Sequence, residues 1–134
     1  MAGPLTAFIE ESYQDTLSLM TELRDYLSEF QAEKPDAADA QLRTRIIGEI
    51  SSITRHMTEA MAWLLLQKAA AAGEISDSEA LSRSDGLLDP ENAPDASGLD
   101  LQQLPIEIRG YIDRSRRLYD QILKLRDMAE KQAD

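Results

Sequence analysis

Apolar side chains recur along the first quarter of the chain at alternating intervals of four and three residues. This spacing is typical of an α-helix that buries one face, and the acidic residues of the segment lie off the apolar stripe. Because the residue before Pro35 is disfavoured in the α region, we predict a first helix over about residues 5–33. Its stripe consists of Ile9, Tyr13, Thr16, Met20, Leu23, Leu27 and Phe30.

A second stripe with the same spacing follows Asp36, which is placed to cap a helix N-terminus. Gly73 is the expected C-terminal stop, since glycine readily adopts the left-handed conformation that ends many helices. We therefore predict a second helix over about residues 37–72, on the order of 50 Å long. Its stripe consists of Leu42, Ile46, Ile50, Ile53, Met57, Ala60 and Leu64.

A linker over about residues 74–103 separates this helix from the next apolar stripe. Within the linker, Ser76 and Glu79 have the spacing of a capping box and predict a short extra helical turn. The rest of the linker is rich in proline, glycine and acidic residues and is longer than a simple connection needs. Pro105 suits the first turn of a third helix over about residues 104–131. Its stripe consists of Leu104, Ile108, Tyr111, Ser115, Leu118, Ile122, Leu125 and Ala129.

These elements predict an all-α protein in which residues 1–134 form a single helical-bundle domain. The expected architecture is an elongated three-helix bundle, with the short extra turn and a long acidic loop between its second and third helices. No segment alternates between apolar and polar residues with the period of a strand.

Composition adds a strong acidic excess to this picture. The chain has 14 Lys and Arg against 25 Asp and Glu, a net charge of -11, and no cysteine. A nucleic-acid binder is not expected, because affinity for phosphate backbones comes mostly from basic residues. The excess is uneven: residues 74–103 carry eight acidic and one basic residue, whereas residues 104–134 carry six and seven. An acidic partner is therefore expected to approach the third helix.

The sequence also bears on localisation. The N-terminus has no basic residue before its first apolar stretch, so we expect no signal peptide. The longest apolar run, Ala60 to Leu66, is far shorter than the roughly 20 residues of a membrane span. We expect a soluble, cytoplasmic protein with no membrane span.

Candidate catalytic chemistry is sparse. His56 is the single histidine, and with Glu59 it forms at most half of a helical metal site, so we interpret it as structural. The six glycines are scattered and form no phosphate-binding loop. We expect no enzyme activity, no cofactor and no metal.

Two features are candidates for interaction. The first is a basic stripe on the third helix, which either pairs with acidic residues of the first helix and of its own or binds a partner or an anionic ligand. The stripe consists of Arg114, Arg116, Arg117, Lys124 and Arg126. In the anionic-ligand alternative, Arg109 acts together with Arg114, Arg116 and Arg117.

The second feature is the run of Trp63, Leu64, Leu65 and Leu66, followed by Gln67. Only part of a helix faces the core of a bundle, so four consecutive bulky apolar side chains should not all be buried by one chain. Three coverings are open: the turn at residues 75–81 folding back, a homodimer, or a different protein. The predicted partner-binding residues are Trp63, Leu65, Leu66, Gln67, Arg114, Arg116 and Arg117.

The second helix also resembles a known family. The stretch from Ile53 to Ser76 is similar to the signature of the alphaproteobacterial regulators of CtrA degradation (RcdA-like), which are otherwise catalogued as a domain of unknown function. The third helix is similar through Leu104, Pro105, Ser115, Leu118 and Tyr119. In the second helix and the turn that follows it, the matching residues are Arg55, Met57, Trp63, Leu64, Leu65, Leu66, Gln67, Lys68, Gly73 and Glu74.

This resemblance implies a dimeric helical bundle that works without catalysis in regulated proteolysis during the cell cycle. The leading hypothesis is an adaptor that helps deliver cell-cycle regulators to the ClpXP protease, with ClpXP, its substrates or other adaptors as protein partners. The alternative is a regulatory protein that binds an anionic small ligand or a phosphorylated partner through the Arg-rich third helix.

Overall fold

The chain folds into helices throughout the part that the structure describes. A computed structural model describes residues 4–33, 40–92 and 101–133. It contains four α-helices, named here α1 (Pro4–Ala32), α2 (Ala40–Ala71), α3 (Asp77–Arg83) and α4 (Ile106–Ala133). Short 3-10 turns occupy Pro90–Asn92 and Leu101–Gln103. The all-α prediction is confirmed, whereas the predicted cap Asp36 and residues 93–100 of the predicted loop lie outside the described residues.

α1 and α2 run antiparallel. Near the start of α1, Glu10 pairs with Lys68 near the end of α2, at 2.8 Å between Oε2 and Nζ. At the opposite end, the Arg43 guanidinium of α2 lies 4.3 Å from the ring centroid of Phe30. The two contacts fix the register along the full length of both helices.

α2 and α4 run parallel. Arg45 donates to Gln103, the last residue of the 3-10 turn before α4, at 2.9 Å, and Tyr119 of α4 donates to Glu59 of α2 at 3.1 Å. The partners are separated by 58 and 60 residues, so the offset between the two helices is almost constant. Because both helices point the same way, the connection from α2 to α4 has to return along the length of the bundle. This direction explains why the linker is long.

The core lies between the three long helices. α2 contributes most of the stripe that the sequence predicts, with Ile46, Ile50, Ile53, Met57, Ala60 and Leu64 all buried. On α1 the centre of the buried face is shifted from the predicted stripe: Leu19 and Ser12 are fully buried, whereas Tyr13 and Met20 are half-buried. The shift arises because α1 packs against α2 and α4 together, so its innermost residues point between those two helices.

The end of α2 and the start of α3 follow the local sequence signals. Gly73 has φ of 77° and donates to the carbonyl of Ala70, while the Glu74 N–H donates to the carbonyl of Ala69. This pair of hydrogen bonds is the Schellman motif, which favours glycine at the left-handed position. Ser76 then accepts from the Glu79 N–H at 3.0 Å, so the predicted stop and cap are both confirmed.

Adjacent leucines of α2 give a matched test of this core. Leu64 is fully buried, and Leu65 is 47% exposed. We expect Leu64→Ala to lower the free energy of unfolding by about 2–5 kcal/mol, because it removes transfer energy and leaves a cavity. Leu65→Ala should cost less than about 1 kcal/mol. Urea unfolding followed by circular dichroism measures both, and equal losses would contradict the assigned register of α2.

Candidate interaction surfaces

The described residues hold little that resembles a catalytic centre. Within residues 4–33, 40–92 and 101–133, no three histidine or acidic side chains are grouped so that they could hold a metal ion. His56 is buried, its Nδ1 lies 2.8 Å from the carbonyl oxygen of Ser52, and its ring meets that of Tyr119 edge to face. Over the same ranges, no helix is long and apolar enough to cross a membrane.

The structure divides the apolar run that begins at Trp63. Trp63 is 1% exposed and Leu64 is fully buried, Leu66 and Gln67 are half-buried, and Leu65 is exposed. Two of these apolar side chains are thus buried by the chain itself, because α1, α4 and the segment around α3 together surround much of α2. Trp63 stabilises the core, and Leu65 is the residue of the run that a partner can reach.

Leu65 belongs to a larger apolar surface, which we call the α1–α2 face. Leu17 of α1 and Ile47 and Leu65 of α2 are 42%, 40% and 47% exposed. Leu17 lies one helical turn from Tyr13, Ile47 one turn from Arg43, and Leu65 one turn from Lys68. Tyr13, Arg43 and Lys68 make the cation–ring contacts that join α1 to α2 on the side away from α4. The face consists of Leu17, Met20, Leu27, Ile47, Met61 and Leu65, with Met20, Leu27 and Met61 half-buried.

The polar groups on this face are already satisfied. The Thr21 hydroxyl donates to the carbonyl of Leu17 at 2.9 Å, and the Thr58 hydroxyl donates to that of Thr54 at 2.7 Å. These hydroxyls bond within their own helices, so the threonines need no partner for them and add little polarity to the face.

The charged groups on and beside the face are in ion pairs, apart from Arg43, which donates to the carbonyl of Phe30. Lys68 pairs with Glu10 and lies 3.7 Å from the ring centroid of Tyr13. The hydrogen bond from Lys68 lowers the pKa of the Glu10 carboxyl. At the other end of the face, Arg24 pairs with Asp25 at 3.4 Å. The α1–α2 face is therefore close to neutral on a molecule whose net charge is -11.

Some arginines of the basic stripe on α4 form ion pairs within the chain, and others are exposed. Arg114 pairs with Glu22 of α1 at 2.8 Å, and this hydrogen bond lowers the pKa of Glu22 and raises that of Arg114. Arg117 pairs with Asp113 one turn earlier on α4. Glu22 belongs to the first helix and Asp113 to the helix of the stripe itself. The sequence named acidic residues of both helices as alternative partners within the chain. Arg114 and Arg117, predicted as partner-binding residues, are thus engaged within the chain, whereas Arg116 is exposed.

Arg126, the last arginine of the stripe, holds the segment after α3. Its guanidinium donates to the carbonyl oxygens of Leu87 and Leu88. The Leu88 N–H donates to the carboxylate of Glu59, which also accepts from the Tyr119 hydroxyl. We call Glu59, Tyr119 and Arg126 the polar clamp, because these side chains of α2 and α4 bind the backbone of one short segment.

The clamp fixes a conformation that an L-residue rarely adopts. Leu88 is fully buried at φ of 59°, in the left-handed region that costs a non-glycine residue on the order of 1 kcal/mol. Burial of its side chain contributes roughly 2 kcal/mol and offsets that cost. Desolvation by burial, together with the hydrogen bond to Glu59, raises the pKa of Tyr119 well above its usual range, so the phenol remains a donor. The sequence draws attention to Glu59 only as part of a metal site, and nothing in its spacing indicates a partner 29 residues away.

Comparison with known proteins gives one match. The family model described as "Protein of unknown function (DUF1465)" matches residues 5–134. The matched range includes nearly all of α1 and the whole of α2, α3 and α4, so the similarity extends over the entire fold and not one segment of it. No curated protein and no solved structure matches the chain.

The two acidic residues of α2 provide a matched pair for testing the clamp. Glu59→Ala leaves the Leu88 N–H and the Tyr119 hydroxyl without their acceptor, so we expect a loss of about 2–3 kcal/mol in the free energy of unfolding. Glu49→Ala removes the same charge from the same helix and should cost less than about 0.5 kcal/mol. Urea unfolding measures both, and similar losses would contradict a structural role for Glu59.

Proposed function

The chain belongs to the family described as a protein of unknown function (DUF1465), and on that premise we propose that it is a non-enzymatic helical adaptor that acts as a homodimer. The observation that carries the proposal is the α1–α2 face. An apolar, nearly neutral surface on a strongly acidic chain is typical of a protein-binding site. The sequence resemblance to the regulators of CtrA degradation indicates which proteins it joins: the ClpXP protease, its substrates or other adaptors.

Electrostatics favours a second copy of this chain on the α1–α2 face. Two chains of net charge -11 repel each other wherever their acidic surfaces meet. The α1–α2 face avoids this repulsion because it carries no unpaired carboxylate among the residues described, and leucine, isoleucine and threonine make up most of its exposed area. It extends from Ile47 to Leu65, about 27 Å along α2, which is long enough for two helix pairs to pack into a four-helix contact.

An adaptor of this kind needs no catalytic residue. A dimer has two copies of every remaining surface, so it can hold two proteins, or two sites of one protein, at the same time. Tethering converts the second encounter into an intramolecular one and raises the effective concentration of a substrate at the protease. We propose that delivery to ClpXP works through this increase in local concentration, in the cytoplasm.

The alternative of an anionic ligand bound by α4 alone has less support. Arg114 and Arg117 are paired with Glu22 and Asp113, so two of the arginines it relies on are engaged. Calorimetric titration with nucleotide second messengers tests it, and an absence of heat from folded protein would exclude it.

The dimer is tested by placing charge on the α1–α2 face. We expect the double variant Leu17→Glu and Leu65→Glu to sediment as a monomer, because four carboxylates would be buried in each dimer. Leu81→Glu is the matched control, since Leu81 is 53% exposed on α3 and lies outside the face. Analytical ultracentrifugation measures the masses. A wild-type chain that stays monomeric at high micromolar concentration would exclude the dimer.

The adaptor role is tested by reconstituted proteolysis. We expect ClpXP to degrade a CtrA-type regulator faster when this protein and the accessory adaptors are present than when this protein is omitted. The Leu17→Glu and Leu65→Glu double variant should lose the increase, and Leu81→Glu should keep it. An unchanged rate with all accessory factors present would contradict the adaptor role, whatever the oligomeric state proves to be.

A further inference from the structure

Leu88 has an uncommon backbone conformation for its residue type. Among the residues that the structure describes, it is the one residue other than glycine with a positive φ, at 59°. Such a conformation persists only where the surroundings impose it, and it is frequent at ligand clamps and switch regions. The contacts that impose it on Leu88 therefore indicate what the surrounding site can bind.

The backbone around Leu88 is bound by side chains of other helices. The Leu88 N–H donates to the Glu59 carboxylate of α2, and the Leu88 carbonyl accepts from the Arg126 guanidinium of α4 at 2.5 Å. The carbonyl of the preceding residue accepts from Arg126, and that of the following residue accepts from the Tyr119 hydroxyl, both at 3.4 Å. The polar clamp thus binds peptide groups of three consecutive residues.

One side chain of this segment is anchored in the bundle. Leu88 is fully buried and belongs to the hydrophobic core, whereas Asp85, Gly86 and Pro90 are exposed. We call residues 85–90 the latch, and the space that the Leu88 side chain fills the socket. Hydrogen bonds to peptide groups, combined with a pocket for a side chain, are a common means by which proteins bind short peptide segments.

The clamp has one donor that the latch does not use. The Arg126 Nε is buried and has no hydrogen-bond partner among the described residues. A buried donor without an acceptor is unfavourable. Arg126 also lines a cavity of about 380 Å³ together with Gly86 and Leu87 of the latch. A different occupant of the socket could supply the missing acceptor, so the latch is an imperfect ligand for the site.

We propose that the polar clamp and the socket form a peptide-binding site, which the latch occupies until a leucine-bearing segment of a partner protein displaces it. The contacts of Leu88 define this occupant. A bulky apolar side chain fills the socket, and the N–H and carbonyl of the same residue meet Glu59 and Arg126. The partner segment has to be irregular, because these peptide groups are already bonded within a helix or inside a sheet.

Displacement of the latch leaves the bundle intact. Leu88 is the one fully buried side chain of residues 85–90. Segments held by few buried apolar contacts open locally at a lower free energy than core helices do. A partner segment would restore the leucine and the hydrogen bonds that the latch vacates, so α2 and α4 keep their contacts.

Tethering sets the strength of the competition. A segment on a short linker has an effective concentration in the millimolar range, so the latch lowers the apparent affinity of the site for a separate peptide. A chain with a weakened latch should therefore bind a separate peptide more tightly. The site goes beyond the proposed adaptor and does not involve the α1–α2 face, so its failure leaves the dimer proposal untouched.

Fluorescence anisotropy of a labelled peptide with the sequence of residues 85–91 tests the site on the full chain. We expect the Leu88→Ala chain to bind this peptide at least about tenfold more tightly than the wild type, because its latch no longer fills the socket. Leu87→Ala is the matched control, since Leu87 is half-buried and its truncation should leave the affinity unchanged. The Leu88→Ala form of the peptide should bind neither chain.

Hydrogen exchange of the wild-type chain gives a second measurement that needs no variant. We expect the Leu88 amide to exchange faster than amides in the middle of α2 and α4, because the latch opens locally. An excess of the leucine peptide should speed this exchange further, and the Leu88→Ala peptide should not. If the Leu88→Ala chain does not fold by circular dichroism, this acceleration by the leucine peptide decides the question.

Three results would overturn the proposal. The first is a folded Leu88→Ala chain that binds the leucine peptide no more tightly than the Leu87→Ala chain does. The second is a Leu88 amide that exchanges at the rate of the core helices even with excess peptide. The third is a wild-type dimer that Leu88→Ala dissociates and that the Leu17→Glu and Leu65→Glu double variant leaves intact, since the latch would then occupy the clamp of a second copy.

Discussion

Burial of Leu88 joins the returning segment to the bundle and holds the parallel arrangement of α2 and α4. The two helices have no short connection, so the chain between them has to be fixed by tertiary contacts. Glu59 and Arg126 supply these contacts by binding the N–H and the carbonyl of one residue, while the leucine side chain completes the core.

Charge is distributed among the helix faces in a way that the net value of -11 conceals. Glu22 of α1 pairs with Arg114 of α4, and Asp113 of α4 pairs with Arg117 of the same helix. What remains between α1 and α2 is an apolar surface that is close to neutral, so the repulsion expected between two acidic chains is weakest there.

The periodicity of apolar residues predicts the structural features that are determined by residues close together in the sequence. The α2 stripe, the stop at Gly73 and the cap at Ser76 are all confirmed, because helix faces and helix ends are decided within a few residues. The centre of α1 is shifted by about one position because two helices share its inner face. The sequence offered acidic residues of the first helix as one set of partners for Arg114 but could not single out Glu22, and it gave no sign of the polar clamp. These partners are chosen by packing between elements that lie far apart in the chain.

The parallel direction of α2 and α4 also orders the folding reaction. α1 and α2 are adjacent in sequence and antiparallel, so their pairing can begin at the Phe30 to Arg43 contact, which spans 13 residues, and extend from there towards Glu10 and Lys68. The hydrogen bonds that join α2 to α4 span 58 and 60 residues. Longer loops cost more entropy before they gain contacts. The α1–α2 pair should therefore form first and α4 dock last, which makes the surface between α1 and α2 available to a second chain before the monomer is complete.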